Sequence, residues 1–318
     1  MIGCGTATFT DSDEYRVRIP GANVNLVFAG SGQFKAHLTW VNLRRLNLVR
    51  IEESLPRVAF LAFAPCPIFV SFPIVNHLPA LWGGAEIRPR EIVVHSLGDR
   101  IHQRTGGPCR WGMISLAPKD LAACGMALTH TELTPPRATT ILRPPAAFTT
   151  DLLRLHAQAC RLAETKPAAI VHKEVARAVE EYLFYALINC LTAEKTNRDI
   201  GWSQRHAEIM AHFEDALAAH CYEPLPMPEL CAAVGVPERN LRLYCAQFLG
   251  MSPGRYARLR RLNLVRTTLR RADPVSVTVA EIARRYGFAE LGRFAGEYRV
   301  AFGEAPSATL HTGRQKKF

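Results

Sequence analysis

Arginine is the residue whose number and spacing could do chemistry in this chain. Between Ser252 and Ala272 the sequence has seven arginines and no acidic residue, and apolar residues recur among them at helical spacing. A guanidinium group is always charged, and its several N–H donors fit phosphate oxygens. The segment therefore predicts a basic helix that contacts a polyanion such as nucleic acid, with a solvated basic face as the alternative. We take Arg255 and Arg258 of this helix as candidates for phosphate contact.

The overall charge agrees with a polyanionic partner but does not locate the contact. The chain of 318 residues has 39 Lys plus Arg and 28 Asp plus Glu, a net charge of +11. Residues 205–318 hold 17 basic and 11 acidic side chains, and residues 1–204 hold 22 and 17. The length predicts two domains. The composition, 48% hydrophobic and 21% charged, is that of globular proteins and excludes wholesale disorder.

Other residue patterns argue against an enzyme or a metal protein. The nine cysteines are never closer than ten residues, which excludes CxxC zinc and redox spacings. His77, His95, His102 and Glu86 lack the His-x-His spacing of a metal-binding cupin. No nucleophile-elbow, zincin, P-loop or dinucleotide-binding motif is present. We therefore expect no catalytic residue, no metal and no cofactor.

The first 145 residues are predicted to form a β domain. They are rich in β-branched and aromatic residues and are interrupted by Gly and Pro turns, which favours a β-barrel or sandwich. The predicted strands are Asn25–Phe28, Phe34–Asn42, Val58–Ala64, Ile68–Phe72, Glu91–Leu97 and Trp111–Leu116.

Within this β domain, the segment Gly98–Thr105 is unusually polar. A ligand pocket needs a few polar groups on apolar walls, so Arg100, His102 and Arg104 are candidates for the rim of an effector pocket. An exposed loop is the alternative.

Residues 146–200 are predicted to be a helical connector. Asp151–Glu164 and Ile170–Thr192 have helical period and length, and Pro135–Pro145 reads as a linker before them. The second helix has a broad apolar face. Packing against the β domain explains this face, and a dimer seam is the alternative.

Residues 205–312 are predicted to be all helical and contain an internal repeat. One seven-residue pattern occurs twice, at Leu230–Val236 and at Ile282–Phe288. It consists of an apolar residue, a small residue, two variable residues, an apolar residue, a glycine and a final apolar residue. The two glycines, Gly235 and Gly287, are suited to a left-handed turn between two helices. The repeat predicts a tandem helix-turn-helix, with unit one at about 227–249, a linker helix at about 252–272 and unit two at about 278–301.

Helix ends and faces within the two units can also be predicted. Thr278-x-x-Glu281 is a capping box that starts unit two. In the second helix of unit one, Arg239, Arg242 and Leu243 lie on the outer face, with Asn240 at its edge. The corresponding outer face of unit two has Gly292, Arg293, Gly296 and Glu297, flanked by Arg299.

These segments resemble a known family, the AraC/XylS-type transcriptional regulators. The resemblance lies in two segments, Gly235–Arg266 and Gly287–Leu310, and covers about a third of the chain. The second segment has a Gly-Phe turn, a spaced Phe, a Tyr-Arg pair and a Phe-Gly-x-x-Pro motif. Pro237 stands where the family usually has a Ser or Thr cap, and Cys245 stands where it usually has Phe.

The resemblance implies which residues would touch DNA. The base-reading positions of the family map onto Arg239, Arg242 and Leu243 in unit one, and onto Leu291, Gly292 and Gly296 in unit two. Arginine binds guanine through two hydrogen bonds, whereas unit two offers few side chains that can bond a base edge. Unit one is therefore expected to read most of the sequence, and Arg293 and Arg299 to hold phosphates.

The resemblance also implies an architecture and a function for the whole protein. The expected fold is multidomain α+β, with a cupin-like sensing domain at 1–145, connector helices at 146–200 and the DNA-binding domain at 205–312. The expected protein is a cytoplasmic, sequence-specific regulator without a signal peptide or membrane span. Its expected partners are double-stranded DNA, an unknown small-molecule effector, RNA polymerase and a second copy of the chain. The alternatives are an architectural DNA-binding protein without an effector and a ligand-processing barrel fused to a DNA-binding domain.

One repeated peptide carries no separate function. The octapeptide Leu-Arg-Arg-Leu-Asn-Leu-Val-Arg occurs at residues 43–50 and again at residues 259–266. The second copy lies in the predicted linker helix, and the first is expected at a strand end or loop. Since tertiary context overrides local preference, we expect the same peptide to adopt two conformations.

Overall fold

The structure is a computed structural model that describes residues 2–10, 14–15, 21–28, 30, 32–75, 78–193, 198–199 and 204–312. Its strands are β1 Gly3–Phe9, β2 Ala22–Phe28, β3 Ala36–Asn42, β4 Leu46–Glu53, β5 Arg57–Phe63, β6 Ile68–Val75, β7 Ala80–Trp82, β8 Ala85–Ile87, β9 Ile92–Val94, β10 Arg100–Thr105, β11 Cys109–Leu116, β12 Thr140–Leu142 and β13 Arg198–Asp199. All six strands predicted from the sequence are confirmed, with end residues that shift by up to three positions.

Most of the described helices lie in the second half of the chain. The helices are α1 Pro118–Thr129, α2 Ala146–Thr165, α3 Pro167–Val171, α4 Lys173–Thr192, α5 Gln204–Ala219, α6 Met227–Val234, α7 Glu238–Leu249, α8 Pro253–Arg271, α9 Val279–Arg285, α10 Leu291–Phe302 and α11 Pro306–Thr312. Helix α1 precedes β12, and α2, α3 and α4 precede β13. The predicted capping box at Thr278 and Glu281 is present at the start of α9.

The described strands form two antiparallel sheets. Eight strands have the order β1-β3-β4-β11-β6-β9-β12-β13, and five have the order β2-β5-β10-β7-β8. The expected α+β fold is confirmed, but the β-barrel is wrong, because the two sheets do not close on each other. Each sheet keeps its own edge strands, and the sheets are held together by side chains packed between them.

The two faces of the larger sheet pack against different partners. In β4, Leu46 and Leu48 pack toward helices α1–α4, whereas Val49 and Ile51 pack toward the smaller sheet. This alternation follows from the two-residue period of a strand. The other face of the smaller sheet contributes Val27 and Val58 to the apolar core of the first helix-turn-helix unit. Connector helices, large sheet, small sheet and helical unit therefore stack in that order.

Two polar segments fold differently from their sequence-based prediction. The expected rim or loop around Arg100, His102 and Arg104 is strand β10, paired with both β5 and β7. The expected linker Pro135–Pro145 contains strand β12, which pairs with β9. In both segments the neighbouring strands supply hydrogen-bond partners, which the local sequence does not reveal.

One predicted helix is interrupted, and the repeated peptide has two conformations. The helix predicted as Ile170–Thr192 is interrupted at His172, between α3 and α4. The octapeptide has two conformations, with Leu46–Arg50 in β4 and Leu259–Arg266 in α8. His77 lies outside the described residues.

Candidate nucleic-acid interface

Unit one is a pair of helices joined by a tight glycine turn. Gly235 follows α6 with a φ of 76°, and its N–H donates to the Cys231 carbonyl at 2.9 Å. This left-handed conformation strains any residue that has a Cβ, which explains the glycine. Pro237 then caps α7 without a side-chain hydrogen bond, as the departure from the family pattern implies.

Helix α7 separates its residues into a buried stripe and an exposed face. Leu241, Cys245 and Phe248 are buried in the core of unit one. Arg239, Arg242 and Leu243 are exposed, and Asn240 is half-buried beside them. The Leu243 side chain is 58% exposed, so the recognition face offers an apolar group as well as donors. An exposed face of this composition suits guanine edges and thymine methyl groups.

One of the two arginines on this face has an acidic partner. The Arg242 Nε donates to Glu238 Oε1 at 2.8 Å, one helical turn earlier in α7. Both side chains are well exposed, and such pairs contribute little stability. Arg242 can therefore exchange this carboxylate for another acceptor at small cost.

Unit two repeats the arrangement with a different surface. Gly287 has a φ of 77° in the turn between α9 and α10. Gly292 and Gly296 are exposed, and a Cβ at either position would meet nothing within 4 Å. Leu291 is half-buried against the core of unit two. The candidate base-contact residues of α10 therefore offer backbone and an apolar side chain, but no side-chain hydrogen-bond donor.

Several arginines of α8 are used to hold the fold together. Arg260 Nε lies 3.3 Å from Glu214 Oε2, and its Nη1 donates to the Leu217 carbonyl at 2.9 Å. Arg266 pairs with Glu304 at 3.0 Å. Both side chains are buried, so neither faces solvent. Acidic residues from other elements thus pair with part of this acid-free helix, and the local sequence does not show these partners.

The four candidates for phosphate contact differ in how free they are. Arg255 and Arg299 are exposed and form no ion pair with any described residue. Arg258 and Arg293 both pair with Glu297, which thereby links α8 to α10. Burial alone would raise the pKa of Glu297. The hydrogen bonds from Arg258 and Arg293 and their charges outweigh burial, so the pKa of Glu297 is lowered.

A buried carboxylate joins unit one to the smaller sheet. Glu214 of α5 accepts a hydrogen bond from Tyr256 Oη of α8 at 2.5 Å, and His102 Nε2 of β10 lies 3.0 Å from the same oxygen. The second oxygen of Glu214 has no hydrogen bond from any described residue but forms an ion pair with Arg260, so Glu214 contacts three groups from two elements besides its own. All four side chains are buried. None of these contacts had a signal in the sequence, because their residues are far apart in the chain.

The cluster favours a charged Glu214. Burial opposes the charge, but the hydrogen bond from His102 and the charges of His102 and Arg260 outweigh burial, so the pKa of Glu214 is lowered. The stabilisation is therefore fully present above the ordinary glutamate value of 4.5, and it is lost as the pH falls through the lower folded-state value.

The three candidates for an effector rim lie in the contact between sheet and helices. Arg100 of β10 pairs with Asp215 of α5, and the Arg104 guanidinium lies against Gly250 at the end of α7. The intervening residues of β10 point the other way, and Ile101 and Gln103 line a small cavity between the two sheets. An effector that touched Arg100, His102 or Arg104 would have to enter the contact between the sheet and unit one.

Within the part of the chain that the structure describes, no group of three or more His, Cys, Asp or Glu side chains could hold a metal ion. None of the described helices is both long and apolar enough to cross a membrane.

Comparisons with known proteins agree on the C-terminal region. Residues 230–312 match the model of a helix-turn-helix domain family. The probable thc operon regulatory protein of Rhodococcus erythropolis is 44% identical over 98 residues, 31% of this chain and 30% of that protein. The XylDLEGF operon transcriptional activator 2 of Pseudomonas putida is 35% identical over 92 residues, 29% of this chain and 59% of that protein. The match thus spans less than two thirds of either relative.

A solved structure resembles more of the chain at lower identity. The crystal structure of the AraC-like transcriptional activator CuxR aligns with 83% of this chain and 95% of its own, at 15% identity and a TM-score of 0.41.

The Glu214 contact leads to a paired stability prediction. Glu214→Ala leaves Arg260 and His102 buried without their acidic partner, and we expect the free energy of unfolding to fall by about 3–5 kcal/mol. Asp215→Ala, next to it in α5, removes an exposed pair and should cost less than about 1 kcal/mol. Urea unfolding followed by circular dichroism measures both variants. Similar small losses in the two variants would show that Glu214 does not hold the contact.

Proposed function

Because residues 230–312 form a tandem helix-turn-helix domain of the AraC/XylS type, we propose that the whole protein is a sequence-specific transcriptional regulator that binds double-stranded DNA. The observation that carries this proposal is the face of α7, where Arg239, Arg242 and Leu243 are exposed on a helix whose other side is packed in the core. In helix-turn-helix proteins the second helix of a unit enters the major groove.

We assign most of the base reading to unit one. Arg239, Asn240 and Arg242 supply hydrogen-bond donors, and Leu243 supplies an apolar contact for a thymine methyl group. Leu291, Gly292 and Gly296 of unit two have no side-chain donor or acceptor. Unit two would then contribute close approach of its backbone and phosphate contact, which add affinity but little sequence information.

Phosphate contact is assigned to two residues of the linker helix α8 and two residues of α10. Arg255 and Arg299 are exposed and unpaired with any described acid, and Arg258 and Arg293 share Glu297. Phosphates can replace the carboxylate of Glu297 for the latter two. The buried Arg260 and Arg266 are left out of this assignment because they already have acidic partners.

The rest of the chain is proposed to make binding responsive to a small molecule. Strand β10 separates the cavity between the sheets from unit one, so a ligand that moved β10 would move His102 against Glu214. Such a ligand can change DNA binding only if the protein binds the ligand with different affinity in the two positions of unit one. RNA polymerase and a second copy of the chain are the further partners that this role implies.

Base reading by Arg242 can be tested on a DNA site selected from a random library by the full-length protein. Arg242→Ala should relax the preference at one base position by about 1–3 kcal/mol, because one bidentate contact is lost. Binding to single-base variants of the site, measured by fluorescence anisotropy at fixed salt, gives this number. Equal weakening on the selected and on scrambled DNA would contradict the assignment, and failure to enrich any site would contradict the proposed function.

Phosphate contact by Arg255 has a different signature. Arg255→Ala should weaken selected and scrambled DNA alike, and should reduce the slope of log K against log salt by about 1, since one fewer counterion is released. Arg161→Ala is the matched control, because Arg161 is exposed on α2 and forms no ion pair with a described residue. An unchanged slope in Arg255→Ala, or the same change in Arg161→Ala, would mean that Arg255 faces away from DNA.

A further inference from the structure

The DNA-binding region contains a cavity that the DNA-binding role does not use. The cavity has a volume of about 100 Å³ and lies between α5, α6, α8 and the segment that joins α5 to α6. Leu217, Leu225, Met227 and Ala257 give it mainly apolar walls, and Arg260 and Arg261 line it as well. Concave apolar sites with a few polar groups are where small molecules bind.

Arg261 is the member of this wall without an acidic partner. Its Nε is buried and has no hydrogen-bond acceptor. Its Nη1 donates to the Tyr286 carbonyl at 3.3 Å, which leaves the edge formed by Nε and Nη2 without a bond to any described residue. Arg258 and Arg260 on the same helix are each paired with a glutamate.

The surroundings of Arg261 make its charge costly. Burial, and after it the like charge of Arg258, lowers the pKa of the Arg261 guanidinium below its ordinary value. An arginine stays protonated nevertheless, so the charge persists. Arg261 is half-buried and forms no ion pair with a described acid, so an anion that binds beside its Nε gains a charge-assisted hydrogen bond.

The chemistry of the wall selects the kind of anion. The free edge of a guanidinium presents two parallel N–H donors, which match the two oxygens of a carboxylate. The apolar walls favour a hydrocarbon chain attached to it. A cavity of about 150 Å³ is known to take benzene, so this smaller cavity has room for about three to five carbons.

We propose that this cavity binds a short-chain monocarboxylate, with the carboxylate on Arg261 and the hydrocarbon chain among Leu217, Leu225 and Met227. Arg261 also contacts unit two, through the Tyr286 carbonyl and through the Phe288 ring at 5.2 Å. A ligand on Arg261 therefore bridges the helices of unit one and the turn of unit two. It is a site separate from the cavity between the two sheets.

The test is a titration of the full-length protein with sodium butyrate by isothermal calorimetry at constant ionic strength. Butyramide, the neutral isostere, is the ligand control. We expect saturable butyrate binding and at least tenfold weaker binding of butyramide. Arg261→Gln should weaken butyrate at least tenfold, and Ala257→Leu, which fills the cavity, should do the same. Arg255→Gln, an exposed arginine of the same helix outside the cavity, should leave butyrate binding unchanged.

Several outcomes would overturn the proposal. They are equal affinity for butyrate and butyramide, unchanged butyrate affinity in Arg261→Gln, and absence of saturable binding for propionate, butyrate and valerate alike. If the Arg261 and Ala257 variants fail to fold, the comparison of butyrate with butyramide on the unaltered protein still decides. DNA is absent from the titration, so this result is independent of whether the protein regulates transcription.

Discussion

The position of the first helix-turn-helix unit depends on one buried carboxylate. Glu214 bonds to His102 of the smaller sheet and to Tyr256 and Arg260 of the linker helix, so sheet, α5 and α8 meet at a single side chain. A buried charge is costly unless oppositely charged or hydrogen-bonding groups lie beside it, so loss of any of these partners should weaken the contact. Apolar residues of the smaller sheet, such as Val27 and Val58, bury further surface against unit one.

The arginines of the DNA-binding region have two different roles. The buried Arg260 and Arg266 pair with Glu214 and Glu304, whereas Arg255 and Arg299 are exposed, and we propose that they contact a polyanion. Arg258 and Arg293 are intermediate, since both pair with Glu297, which a phosphate would have to replace in the proposed DNA complex. A run of arginines in a sequence therefore does not measure how many reach DNA. Burial and pairing decide that number. Arg261 is half-buried, has no paired acid among the described residues and lines a cavity.

Features set by local sequence were predictable, and features set by distant partners were not. Gly235, Gly287 and the capping box of α9 could be predicted because each depends on a few neighbouring residues. The repeated octapeptide shows the limit. In β4 its leucines at 46 and 48 face the helices, while in α8 Leu262 and Val265 pack against unit two. Strand β10 and the Glu214 cluster were missed because polar residues become strand or core only through partners elsewhere in the chain.

The central claim is that two dissimilar units, with the first anchored to the sheet, bind one face of the same duplex. Hydroxyl-radical footprinting of the full-length protein on its selected DNA site tests this claim most directly. Two protected stretches about 10 base pairs apart on one face of the duplex are predicted, since each unit enters one major-groove segment. Protection of a single stretch, or of stretches on opposite faces, would contradict the account.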